Sequence, residues 1–188
     1  MASEIIVNTI KAPTTGANAN KVIIPSGVTL DASGGGLTTP AGHVIQVVHT
    51  TNTTVDTVSV SADYPQASGF KLSITPKYAT SKILVIFNID AWLDGGNNAN
   101  KIGKYGIRLN SQSNQLQAEK RFSVYHVDET GTDFGGEVSM VYLADPNTTN
   151  TQEYELVLGR WASSYNNNVK MNGGGFGHSS ITLMEIAQ

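Results

Sequence analysis

The sequence predicts an all-β protein, built as an antiparallel β-sandwich or jelly roll. The prediction rests on short polar side chains, on repeated segments of alternating polarity, and on turn residues between those segments. Charged residues make up only 14% of the 188 residues, against about 25% in an average globular protein. Thr, Ser and Asn, with 19, 16 and 16 copies, supply the polar surface instead. These residue types favour strands and turns over helices.

Nine segments after Pro40 have the composition or the alternation of β-strands. The alternation is clear at Phe70, Leu72 and Ile74, which point to one side of their strand. Turn clusters such as Ala67–Gly69 separate the segments, and no ten-residue stretch has helical periodicity. The predicted strands are His43–Thr50, Thr57–Ser61, Phe70–Thr75, Lys82–Ala91, Gly103–Asn110, Lys120–Val127, Glu137–Leu143, Glu153–Arg160 and Ser179–Ile186.

The first 42 residues differ from the rest of the chain. They hold three short apolar patches, Ile5–Val7, Lys21–Ile24 and Val28–Leu30, followed by a Gly-rich stretch around Gly34–Gly36. Such short strands cannot form a core, so they either pack on the main domain or pair with other copies of the chain. The Gly-rich stretch acts as a hinge that separates these strands from the main domain, which favours pairing with other copies of the chain. We therefore predict an N-terminal segment over residues 1–42 and a β-sandwich domain over residues 43–188.

Composition and charge exclude several partners and compartments. The net charge of −3 and the pI of about 5.7 do not fit a nucleic-acid surface, which needs clustered Lys and Arg. There is no Cys, and the N-terminus carries an acid before its first apolar run, unlike a signal peptide. The longest apolar run, Ile83–Phe87, is too short to insert in a membrane. The expected product is soluble and made in the cytoplasm.

The segment Lys82–Ile89 is apolar on both faces. In a two-layer sandwich one face of each sheet normally meets water, so the outer face of this strand needs a cover. A loop could provide it, but another copy of the chain is the favoured cover because the sequence offers no covering helix. The candidate residues for this interface are Ile83, Val85, Ile86 and Phe87.

No catalytic or cofactor motif is present in the sequence. The histidines show no paired metal-ligand spacing, and there is no nucleophile elbow, phosphate loop or dinucleotide loop. We therefore predict neither an enzyme nor a cofactor. One weak candidate for a Ca²⁺ site remains, because four carboxylates lie within ten residues of a Gly-containing segment; ordinary turn chemistry explains them equally well. They are Asp128, Glu129, Asp133 and Glu137.

Two Asn-rich segments, each beginning just after a Trp, are the candidates for a binding surface. Aromatic rings provide rigid apolar area and amides fix orientation, which suits recognition of a sugar or a protein surface. The alternative is that the Trp residues end strands in the core and the Asn runs form turns. The candidate residues are Trp92, Asn97, Asn98, Asn100, Trp161, Tyr165, Asn166 and Asn167.

Four stretches of the chain resemble virion fibre and tail-fibre proteins of bacteriophages, especially those of marine cyanophages. The stretches are SEIIVNTIKAPTTGANANKVIIPSGVTL, AGHVIQVV, LSITPKYATSKILVIF and SSITLMEI. The resemblance implies a homotrimer in the virion, fixed to capsid or tail proteins through residues 1–42. Its jelly-roll head, similar to complement-type globular heads, would face a glycan or protein of the host surface. The family has no shared catalytic residues, and this chain lacks the long shaft of typical tail fibres.

Three interpretations follow from the resemblance. The first is a trimeric fibre that binds the host surface, and the second is a capsid-decorating or cementing protein with little receptor binding. The third is a polysaccharide-degrading enzyme of the same particle. It has the least support because nothing in the sequence places two carboxylates at the separation that glycoside hydrolysis needs.

Overall fold

The structure, a computed structural model, divides the chain into two compact units, Met1–Thr38 and Thr39–Gln188. The residues that it describes are 12, 14–17, 19, 22–23, 26–27, 40–54, 58–60, 62–94, 100–110, 116–125, 133–165, 167–173 and 177–188.

In the first unit the described residues form a turn and no strand. The Ala19 N–H donates to the Gly16 carbonyl oxygen at 3.1 Å, and Gly16 has a positive φ of 88°. Val22 and Ile23 are both more than half exposed in the single chain. The patches Ile5–Val7 and Val28–Leu30 lie outside the described residues. The anchoring role of residues 1–42 stays a prediction.

The second unit is all-β, as predicted, and its described part contains ten strands and no helix. All nine predicted strands are present, with ends shifted by a few residues, and one strand, β9, was not predicted. The strands are β1 (Val44–Asn52), β2 (Val58–Val60), β3 (Gln66–Ile74), β4 (Lys82–Asp94), β5 (Asn100–Leu109), β6 (Leu116–Tyr125), β7 (Phe134–Ala144), β8 (Gln152–Arg160), β9 (Asn168–Met171) and β10 (Ser179–Ile186).

The strands form two antiparallel sheets that pack as a sandwich. Sheet A has the order β1-β10-β4-β9-β2, and β7 pairs with the opposite edge of β4 from β10 and β9. Sheet B has the order β3-β8-β5-β6. Strands β10 and β9 share the other edge of β4: β10 pairs with Lys82–Asn88 and β9 with Ala91–Asp94. Strand β4 is therefore the centre of sheet A.

Alternate side chains of β4 fill the core. Its six inward residues have no exposed surface, while the residues between them are half-buried on the outer face. Residues of sheet B such as Tyr105, Leu156 and Leu158 pack in the same core cluster. Full burial stabilises each large apolar side chain by about 1.5–3 kcal/mol. The inward residues of β4 are Ile83, Val85, Phe87, Ile89, Ala91 and Leu93.

This alternation corrects the interface predicted on the Lys82–Ile89 segment. Ile83, Val85 and Phe87 cannot contact a second copy, because their side chains are enclosed between the two sheets of one chain. Of the four predicted interface residues only Ile86 lies on the outer face of sheet A. The sequence shows that both faces of the strand are apolar, but not which face is inward.

One segment predicted as a turn belongs to a strand, and another strand is longer than predicted. Ala67–Gly69 lies within β3, where the pairing with β8 shifts register between Ala67 and Lys71 and Gly69 has a φ of 75°. A positive φ in a strand suits glycine and marks a bulge, so the turn chemistry was real but did not end the strand. Strand β4 continues past its predicted end at Ala91, as far as Asp94. In the part of the chain that the structure describes, no helix is long and apolar enough to cross a membrane.

Candidate functional site

Of the eight predicted binding residues, four can be located by their side chains: Trp92, Trp161, Tyr165 and Asn167. Asn97, Asn98 and Asn166 lie outside the described residues. Asn100 is the first residue of β5, and its side chain is not described.

Trp92 lies in β4 rather than in a loop, and its side chain is on the outer face of sheet A. Its register partners are Gly135 on β7 and Lys170 on β9. The ring lies over Gly135 and Gly173, where a Cβ atom on either glycine would overlap it. The half-buried Trp92 ring is therefore packed against the sheet; it belongs to a strand, but it lies outside the core in which the alternative placed it.

The polar residues beside Trp92 are paired with one another. Lys170 and Asp94 form an ion pair in which both side chains are mostly covered. The Asn168 Nδ2 donates to Asp94 Oδ1 at 2.8 Å. The Asp94 carboxylate thus joins β4 to β9, which is a structural role.

A buried polar cluster closes the same end of sheet A. The Asn172 Nδ2 donates to the Asn52 carbonyl oxygen at 2.9 Å, and the Ser179 hydroxyl donates to Asn172 Oδ1 at 2.7 Å. Asn172 and Ser179 have no exposed surface. Asp90 borders the cluster through its backbone, whose N–H donates to Ser179 Oγ at 3.1 Å. Burial raises the pKa of Asp90.

Trp161 follows β8 and is the exposed aromatic residue of the candidate set, with 46% of its surface open. Its N–H donates to the Ile102 carbonyl oxygen at 3.4 Å, which ties it to the start of β5. The Lys104 Nζ lies 4.5 Å from the centroid of its ring and the Arg121 Cζ lies 5.4 Å from it. Trp161 is therefore placed over two cations on the outer side of sheet B.

Tyr64 crosses the outer side of sheet B next to this group. The Lys104 Nζ lies 5.1 Å from the centroid of the Tyr64 ring. Gly106 and Gly159 lie beneath Tyr64, since a Cβ atom on Gly106 would overlap its hydroxyl and one on Gly159 would overlap its backbone. Burial, and secondarily the charge of Glu119, raise the pKa of Tyr64. We refer to Trp161, Lys104, Arg121 and Tyr64 as the Trp161 cluster.

Asn167 is corrected from a binding candidate to a structural residue. It is 3% exposed, and its Oδ1 accepts from the Ile102 N–H at 3.4 Å while its Nδ2 donates to the Asn168 carbonyl oxygen at 3.3 Å. An enclosed amide with its own backbone partners is not available to a ligand. Tyr165 is half-buried and its N–H donates to the Ala162 carbonyl oxygen.

The structure does not bring the two Trp residues together. Trp92 lies on the outer face of sheet A, whereas Trp161 lies on the outer side of sheet B. The thickness of the sandwich separates them, so they cannot contact one ligand residue. No local pattern could predict the two cations beside Trp161, because Lys104 and Arg121 reach it from two strands that are distant from it in the chain.

The weak Ca²⁺ candidate is only partly visible. Asp128 and Glu129 lie outside the described residues, and Asp133 and Glu137 are exposed. Glu137 is the register partner of Asp90 across β4 and β7. Among the residues with described positions, no three His, Asp or Glu side chains are grouped as metal ligands.

The outer face of sheet A carries a second surface, formed by aliphatic residues. The row Val47, Met184, Leu84 and Leu143 runs without interruption across β1, β10, β4 and β7 as successive register partners. The next row adds Ile86 and Val141, again as register partners. Val47, Val141 and Leu143 are each about half exposed in the single chain. We refer to these six residues as the sheet A apolar face.

Comparison with known proteins gives no family. No protein-family model matches the chain, and no curated protein matches it. Among solved structures it is similar to the VP2 subviral particle of infectious bursal disease virus, with 11% identity, a TM-score of 0.37, and coverage of 77% of this chain and 34% of that one. A mutant VP2 protein of the same virus has 14% identity and a TM-score of 0.35, with coverage of 87% of this chain and 41% of that one. The structure of the Gt strain has 13% identity and a TM-score of 0.37, with coverage of 88% of this chain and 43% of that one. The chain spans less than half the length of these proteins, and TM-scores this low carry no argument.

Proposed function

We propose that this protein is a virion structural protein: a trimeric fibre, attached through residues 1–42, whose β-sandwich head binds the host surface. The resemblance of four sequence stretches to phage fibre proteins supports the virion role, and it is the reason for proposing three copies in the assembly. The observation that carries the proposal is the sheet A apolar face, which supports the assembly of several copies.

The sheet A apolar face has the properties of a contact between copies. At about 4.8 Å between strands, its first row is roughly 15 Å wide. Soluble monomers seldom leave contiguous apolar area of this kind open to water, because each Å² returned to a covered state contributes about 25 cal/mol. Neither of its two rows contains an Asp, Glu, Lys or Arg. Identical faces can therefore approach one another without charge repulsion, and closed symmetry is the common outcome for such contacts.

The mass of the purified full-length chain tests the proposal. Light scattering at micromolar concentration should give three times the 20.0 kDa mass of one chain. Val141→Asp should give monomers or insoluble protein, since an unpaired carboxylate would be buried in the contact. Ser73→Asp is the matched control, because Ser73 is exposed on a strand of sheet B, away from the apolar face. A monodisperse wild-type monomer, or a trimer unaffected by Val141→Asp, contradicts the proposed contact.

The decorating role differs from the fibre role in location and in receptor binding. A labelled protein seen on the capsid of the particle, together with no binding to host cells, favours decoration. Binding to host cells favours the fibre. The catalytic interpretation gains no support from the site, since the located acids are paired with Lys or Arg, exposed, part of the buried cluster at Asp90, or, like Glu185, enclosed by hydrogen bonds from the chain itself.

A further inference from the structure

We propose that the Trp161 cluster binds an anionic saccharide, namely a pyranose that carries a carboxylate. The proposal rests on host-surface binding as the function of the head, and it names the chemistry of the ligand and the face that binds it.

The Trp161 ring contacts two cations and keeps about half of the residue's surface exposed. Lys104 and Arg121 are register partners on β5 and β6, so their side chains leave the same face of sheet B. The Lys104 Nζ and the Arg121 Cζ lie 4.5 Å and 5.4 Å from the ring centroid, while 46% of the residue's surface stays exposed. Cation–π contacts stabilise such a placement. The exposed part of the ring is thus held by contacts within the protein, so a ligand does not have to order it.

One positive charge beside the ring is not balanced. On the outer face of sheet B, Lys71 pairs with Glu153, Arg108 with Glu155 and Lys104 with Glu119. Arg121 is exposed, and the described part of the chain provides no ion-pair partner for it. The net charge of the whole chain is −3, so the excess positive charge at Arg121 is a feature of this part of the surface and not of the whole protein. A guanidinium group binds a carboxylate through two parallel hydrogen bonds, so Arg121 suits an anionic ligand group.

The combination of ring and guanidinium favours a sugar over other anions. The apolar face of a pyranose can lie on the exposed part of the Trp161 ring, where a flat ring covers apolar area at little entropy cost. A carboxylate on the sugar ring would then lie at the edge of the Trp161 ring, within reach of Arg121. A nucleic acid needs a series of cations along its backbone, and a single surplus cation does not provide that.

Binding of an oligogalacturonate to the full-length protein tests the proposal, with the methyl-esterified oligosaccharide as the uncharged ligand control. Calorimetric titration should show binding of the acid form and at least about tenfold weaker binding of the ester, as expected for loss of a charge-assisted hydrogen bond. Trp161→Ala should lose binding of both sugars. Arg121→Gln should bring binding of the acid down to that of the ester, and added salt should weaken the wild type only.

Lys120→Gln is the matched control variant. Lys120 is also exposed and adjacent to Arg121, but it is the register partner of the core residue Tyr105, so it points away from the Trp161 cluster. It removes the same charge and should leave binding unchanged. Equal loss in Lys120→Gln and Arg121→Gln, equal binding of acid and ester, or no binding of the acid by the wild type each overturns the inference.

The oligomeric mass keeps this test separate from the test of the proposed function. A trimer that binds host cells but no oligogalacturonate overturns the saccharide inference and leaves the fibre role standing. A monomer that binds oligogalacturonate through Arg121 supports the site and contradicts the trimeric fibre.

Discussion

At the residue scale, the burial of a polar side chain in this protein depends more on its hydrogen-bond partners than on its residue type. Glu185 is fully buried although it is charged, because its carboxylate accepts from Gln46 Nε2 at 2.6 Å and from the Lys77 and Tyr78 N–H groups. Asn167 is likewise enclosed and paired with backbone groups. Buried polar groups are stable when their hydrogen bonds are complete, so neither residue is evidence of a ligand site.

The half-buried carboxylate of Asp90 leads to a prediction about the stability of the chain at different pH values. Burial disfavours its charged form and raises its pKa, and the like-charged Glu137 is its direct register partner. Because the pKa of Asp90 is raised in the folded state, its contribution to the free energy of unfolding is fully present below the unfolded-state pKa. This contribution is lost as the pH rises through the folded-state pKa of Asp90. Asp90→Asn should therefore raise the thermal midpoint at pH 7, by up to about 2–4 °C for each 1 kcal/mol gained.

The pH series decides the Asp90 prediction. The advantage of Asp90→Asn over the wild type should shrink as the pH falls and vanish by about pH 3, where both side chains are neutral. Asp145→Asn, an exposed carboxylate between β7 and β8, removes the same charge and should show no such trend. A constant difference at all pH values would assign the effect to packing.

At the scale of the element, β4 determines the architecture because it is central and has two different apolar faces. Its inward residues form the core between the sheets, and its outward residues Leu84 and Ile86 contribute to the sheet A apolar face. Adjacent positions on one strand therefore contribute to different kinds of stability. One face stabilises the chain and the other is proposed to stabilise the assembly.

Phe87 and Ile86 separate these two contributions. Phe87→Ala should lower the free energy of unfolding by about 3–5 kcal/mol, because it leaves a cavity in the core. Ile86→Ala should mainly weaken association of the copies. Urea unfolding at several protein concentrations distinguishes the two, since dissociation depends on concentration and unfolding of one chain does not. Equal loss of chain stability in both variants would argue against a contact on the outer face.

At the scale of the whole molecule, the chain consists of two compact units of very different size, Met1–Thr38 and Thr39–Gln188. The exposed Val22 and Ile23 of the first unit lie outside any strand in the single chain. The second unit has a complete core of its own. We propose separate roles for the two units, an attachment segment and a binding head.

Deletion of residues 1–40 tests this division of roles. The remaining chain should fold, since the sandwich core contains only residues after this point. It should also fail to join virus particles, as judged by its absence from purified virions. The full-length protein carrying the same label is the control. A truncated protein that still appears on the particles would show that attachment does not depend on the N-terminal segment.

The sequence by itself determined the fold class, nine of the ten strands in the described part of the chain, and the presence of a strand apolar on both faces. These are local properties, because side chains alternate with a period of two whatever the strand pairs with. Strand β9 was missed because four residues with two apolar side chains, after a run of Asn, have the composition of a turn. Its place is set by β4, which extends beyond the end of β10 and leaves an edge open.

The tertiary structure alone decided which face of β4 is inward and which Trp is exposed. It also placed Lys104 and Arg121 beside Trp161, although these residues come from three different elements. Pairings such as Gln46 with Glu185, separated by 139 residues, have no local signature. Burial and pairing depend on contacts between distant segments, whereas alternation depends only on neighbours in the chain, and this is why the sequence reveals the strands but not the surface they form.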